Sequence, residues 1–92
     1  MIARVLCLSL ALALLPGSIQ ARSTITRERA EITALKLVPG GSIVSGDLER
    51  DKNRLVWWFD VSIPGSRNVK AIQIDAYTGA VVSNTTETPE DR

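Results

Sequence analysis

The sequence contains no histidine, and its one cysteine, Cys7, lies in the first ten residues. These two absences exclude most nucleophilic and metal chemistry. A catalytic serine or cysteine needs an adjacent base, and zinc and most transition-metal sites draw on imidazole or thiolate. The lysines beyond Leu37 are Lys52 and Lys70, and both read as exposed, so a Ser–Lys pair has little support. Aromatic residues are scarce, at 4%. A large excess of either charge is also missing, since 11 basic residues face 10 acidic ones. A nucleic-acid binder would carry a basic face or tail, so no nucleic-acid partner is expected.

Long hydrophobic runs are missing except at the start, "MIARVLCLSLALALLPGSIQARS". Arg4 gives a positive n-region, Val5 to Leu15 is apolar apart from Ser9, and Pro16-Gly17 breaks the run before Ala21. This is the layout of a secretory signal peptide, residues 1–21, cleaved after Ala21. The run is shorter than the roughly 20 apolar residues of a spanning helix, so no stable membrane anchor is expected after cleavage. Cys7 sits early in the run, not at its end where a lipid-attachment cysteine would lie. Arg4 leaves with the signal, and the mature chain holds equal numbers of acids and bases. Export would permit disulfides, but the mature chain has no cysteine to form one. A chain of this length supports one domain, which buries only about 60% of its unfolded surface. The expected location is periplasmic or secreted.

The mature chain then punctuates itself. Thr26 offers an N-cap, and Ala30, Ala34 and Leu37 recur at the spacing of one helical face before Pro39-Gly40-Gly41 stops the helix. Ser42 to Glu49 alternates loosely, with Val44, Gly46 and Leu48 on one face. "RDKN" at 50–53 is a polar turn. Arg54 to Ile63 is the clearest strand: Leu55, Trp57, Phe59, Val61 and Ile63 alternate with Val56, Trp58, Asp60 and Ser62. After the turn formers at 64–68, Val69 to Ala76 is a strand with Ile72, Ile74 and Ala76 on one face. Ala80 to Val82 forms a short last strand, and residues 84–92 read as a disordered polar tail.

Short loops between consecutive strands make them antiparallel neighbours. The expected fold is therefore α+β, with one N-terminal helix on one face of a 3-4-stranded antiparallel sheet. The expected core is Ala30, Ala34, Leu37, Val44, Leu48, Leu55, Trp57, Phe59, Val61, Ile63, Ile72 and Ile74. Trp58 points away from it beside Val56, on the face one helix cannot cover. Stacking over cross-strand neighbours would account for Trp58. Contact with a partner is the functional alternative, and it makes Val56 and Trp58 the candidate contact residues.

Other motifs carry little chemistry. Asp47 and Glu49 share a strand face and read as solvated charges. "DLERDKN" lacks the glycine and final glutamate of a calcium-binding hand loop, and no metal or other cofactor is expected. "NTT" at 84–86 fits the glycosylation sequon and reads as a chance match. The "DAYTG" stretch at 75–79 is the most informative turn. The Asp75 carboxylate can accept from backbone N–H groups just ahead of it, and Gly79 can take a positive φ. Asp75, Thr78 and Gly79 are thus expected to be structural turn residues.

"IDAYTGAVV" resembles the end of a PepSY domain, where a hydrophobic strand enters a Val/Ile-Asp-Ala-x-Thr-Gly turn. The upstream "LVWWFDVSIPGSRNVKAIQIDA" is similar to the Trp-x-Phe-Asp-Val/Ile stretch of small exported PepSY proteins of proteobacteria. The resemblance makes residues 22–83 a PepSY-like domain. In that family an acidic residue often precedes the hydrophobic pair of the last long strand, and here Ala71 holds its place. The family has no established catalytic residues, so the resemblance implies none here. It implies a non-catalytic binding module whose partner is a protein, such as a secreted or periplasmic peptidase that it inhibits or regulates. The alternative is a cell-envelope interaction or sensory accessory domain unrelated to proteases.

Overall fold

The computed structural model describes residues 22–91. The expected signal peptide, residues 1–21, lies outside the described residues. Helix α1 spans Arg27–Lys36, and four strands follow: β1 Ser42–Asp51, β2 Arg54–Ser62, β3 Val69–Asp75 and β4 Val81–Glu87. The strands form one antiparallel sheet in the order β1-β2-β3-β4. The helix packs on one face, which gives the expected α+β architecture.

The helix begins where its cap chemistry says it should. Thr26 is extended, and its Oγ1 accepts from the backbone N–H of Arg29 at 3.1 Å. Glu28 in the first turn and Lys36 in the last complement the helix dipole. Ala30 and Ala34 are fully buried, and their small side chains let the helix approach the sheet closely. The helix ends one residue before the apolar spacing suggests. Leu37 is the C-cap and stands 37% exposed, while Val38, in the turn beyond, takes the core position.

On the helix side, Phe59, Val61, Ile72 and Ile74 are fully buried and form one cluster with Ala30, Ala34 and Val38. Trp57, Ile43, Leu35, Ile25 and Ile63 are partly buried against it. The β1 expectation needs correction. Val44 and Leu48, expected in the core, are 58% and 44% exposed. A bulge between Ile43 and Ser45 leaves Val44 unpaired and resets the alternation. Ile43, opposite Val61, therefore faces the helix together with Gly46, opposite Phe59. Leu48 faces the same way, opposite Trp57, but lies on an edge strand.

Gly46 has a steric role. A Cβ there would lie 2.6 Å from Cε1 of Phe59, so the ring occupies the space that a side chain would fill. Arg27 closes the arrangement from above: its Nη1 donates to the Gly46 carbonyl at 3.1 Å, and its Nε pairs with Glu31 at 2.8 Å.

The last strand is longer than the sequence suggests. Residues 84–87, expected in a disordered tail, continue β4 and pair with Val69 to Ile72 of β3. A short 3-10 turn at Pro89–Asp91 follows, with Asp91 Oδ2 accepting from the N–H and hydroxyl of Thr88. The tail is polar because β4 is an edge strand, and polarity there does not imply disorder.

Candidate functional site

The helix leaves the opposite face of the sheet open. Register places Asp47, Trp58 and Gln73 side by side across β1, β2 and β3. Ser45, Asp60 and Ala71 form the next row in one direction, and Glu49, Val56 and Asp75 the next in the other. Trp58 is half-buried at the centre of this face. Val56, paired with it as a candidate contact, is fully buried and offers a partner no surface. It lies between Glu49 and Asp75 across the ladder and between Arg54 and Trp58 along the face, and these longer side chains enclose it. Ala71 and Val69 on the same face are also buried, and all three lie outside the main core cluster.

An open groove of about 440 Å³ lies at one end of this face, lined by Asp51, Lys52, Arg54, Gln73, Val82 and Ser83. Two local irregularities shape it. Lys52 and Asn53 both have positive φ, +52° and +68°, forming the two-residue turn that joins β1 to β2. A second bulge sets Ile74 opposite Val81 and leaves Val82 unpaired beside the groove. Neither feature was visible as a site in the sequence, because the groove exists only where two hairpins end side by side.

The "DAYTG" turn closes the β3–β4 hairpin beside this face. Asp75 Oδ1 accepts from the N–H groups of Tyr77 at 2.8 Å and Thr78 at 2.9 Å. The Asp75 carbonyl accepts from Gly79 N–H at 2.9 Å, and Gly79 sits at φ +80°. Thr78 Oγ1 accepts from Ala80 N–H at 3.2 Å. The backbone donors of Thr78 and Tyr77 hold the Asp75 carboxyl below its usual pKa, and Arg54, 3.4 Å away, adds to this. The turn also anchors the segment before α1. Ala76 N–H donates to the Leu55 carbonyl and its own carbonyl accepts from Ile25 N–H, while the Arg22 guanidinium stacks over the Tyr77 ring at 4.3 Å. These hydrogen bonds give Asp75, Thr78 and Gly79 positions inside the turn.

Among the described residues, no three His, Cys, Asp or Glu side chains converge as a metal site requires. No helix of the described residues is long and apolar enough to cross a membrane.

A family model, PepSY, described as "Peptidase propeptide and YPEB domain", matches residues 24–85. The chain belongs to the PepSY family. The match runs from the extended segment before the helix to the middle of β4, so the PepSY unit here is the whole helix-and-sheet layer pair. No curated protein and no solved structure matches the chain. The family's description ties such domains to peptidases as propeptides, which supports a protein partner in general terms.

Proposed function

We propose that this PepSY chain is an exported, non-catalytic binding module that restrains or regulates a protease in the periplasm or outside the cell. The observation that carries the reading is the family match over residues 24–85, whose description names peptidase propeptides. The open sheet face supports it, with the half-buried aromatic Trp58 standing where the helix provides no cover. Aromatic side chains supply large, rigid contact area and are enriched at binding hot spots. The apolar run before Ala21 supports export.

The mechanism is occupancy. A partner laid on the outer face would bury Trp58 and gain contact with the polar rows beside it. An extended segment could also pair with the free edge of β1 or β4. The test incubates the exported protein, recovered from periplasm or medium, with secreted metalloproteases of the same organism. Slowed peptide hydrolysis at micromolar protein, relieved by Trp58→Ala in a variant with unchanged folding, supports the reading. Unchanged hydrolysis across the proteases overturns it.

A further inference from the structure

The charge of the open face narrows what can dock there. The outward rows of β1, β2 and β4 carry Asp47, Glu49, Asp60 and Glu87. Among the described residues only two ion pairs form, Arg27–Glu31 and Arg54–Asp75. Those four acids therefore have no cationic partner among the described residues. Against them the face sets two cations, Arg54, already held by Asp75, and Lys52 at the groove end. Asp60 has only a weak neutral donor, the Ser45 hydroxyl at 3.4 Å. A mature chain with balanced charge thus presents one acidic face.

Trp58 lies within this field. Asp47 is its direct cross-strand neighbour, and such pairs stand about 5 Å apart at Cβ. Asp60 is two residues along the same strand and on the same face. A cation over the Trp58 ring, within about 6 Å of its centroid, would be close enough to feel both carboxylates. Charge and aromatic surface then favour the same ligand group. Docking this face against its equal on a second copy would instead oppose carboxylate to carboxylate.

We infer that the outer face receives an arginine- or lysine-bearing segment of a partner protein, with Trp58 as the platform for the cation and Asp47 and Asp60 as its counter-charges. The inference rests on the reading of this face as the working surface, and it adds the chemistry of the partner. It does not require that the partner be a protease.

The test is fluorescence anisotropy with two labelled octapeptides, alternating arginine–alanine and alternating glutamate–alanine, added to the exported protein. The cationic peptide is expected to bind at least about tenfold tighter at about 50 mM salt and to weaken at about 300 mM, as screening requires. Asp47→Asn with Asp60→Asn should weaken it by about tenfold, and Trp58→Leu by about twofold to fivefold. Glu28→Gln, on the exposed helix surface, should leave it unchanged, with urea unfolding confirming that every variant is folded. Equal binding of the two peptides, or unchanged binding in the double variant, overturns the inference. So does self-association of the wild type, read by sedimentation, that the same two Asp substitutions abolish. Retained peptide binding with no effect on any protease would overturn the protease reading and leave this inference standing.

Discussion

The indole Nε1 of Trp57 donates to the carbonyl oxygen of Ile25 at 3.2 Å. The backbone N–H of Ile25 donates to the Ala76 carbonyl at 2.7 Å, so the segment before α1 is tied at once to β2 and to the "DAYTG" turn. Trp57 also stacks parallel to Phe59, with planes 4° apart and centroids 6.2 Å apart. Its polar tip and its apolar ring have separate tasks, and two substitutions separate them. Trp57→Phe should cost about 1 kcal/mol, the net value of one hydrogen bond. Trp57→Ala should cost about 3 kcal/mol, the low end for loss of a large aromatic, because the ring is only partly buried. Urea unfolding of both variants measures the difference, and equal costs would mean that the hydrogen bond carries the whole effect.

Gly46→Ala should destabilise by about 1–3 kcal/mol, because the Phe59 ring or the β1 backbone must move to admit the methyl group. Val44→Ala, two residues away at the exposed bulge, should change stability by less than about 0.5 kcal/mol. Thermal melts of the pair check the contrast, which is the reverse of what residue size alone suggests.

Asp75 should make stability fall in acid. Its folded pKa lies below the ordinary value, so its contribution is full above the unfolded pKa and is lost as pH falls through the folded one. Asp75→Ala should cost about 1–3 kcal/mol at neutral pH by stripping two turn donors of their acceptor. The gap between wild type and variant should narrow steadily below pH of about 4. Denaturant midpoints across that acid range read the convergence, and a constant gap would assign the effect to packing instead.

Lys52→Gly should stabilise the protein by about 0.5–1 kcal/mol. The left-handed conformation at φ +52° costs a lysine more than it costs glycine, even after the larger entropy of the unfolded glycine chain. A raised urea midpoint with an unchanged slope would confirm it.

Ending the chain at Ser83 should destabilise the domain by about 2 kcal/mol, since residues 84–87 pair with β3 over Val69 to Ile72. Hydrogen exchange should show β3 amides losing protection. A fully protected β3 in the shortened protein would return these residues to the status of a loose tail.

Much of this architecture was legible in the chain because local rules coincide with the fold. The Thr26 cap, the period-two file from Leu55 to Ile63 and the acceptor–glycine pairing of Asp75 and Gly79 each act within a few residues. Short connections then leave an antiparallel meander as the simplest topology. What failed was decided at longer range. The bulge at Val44 is set by how β1 meets β2; it leaves Val44 unpaired and puts Ile43 on the same face as Gly46 and Leu48. Val56 reads as an outward residue, and it is one, yet its neighbours on three strands bury it. Residues 84–87 become a strand because β3 offers them a free ladder.

The sequence alone determined the elements, the turn chemistry and the separation of the two tryptophans onto opposite faces, because φ/ψ preference, capping and side-chain alternation are local. Only the tertiary structure decided which neighbours each tryptophan has. Trp57 gained the Ile25 carbonyl and the helix side of the sheet, and Trp58 gained Asp47 and Gln73 as its neighbours across the ladder. Those relationships depend on register between distant segments, which is fixed by packing and cross-strand hydrogen bonds once the sheet is assembled.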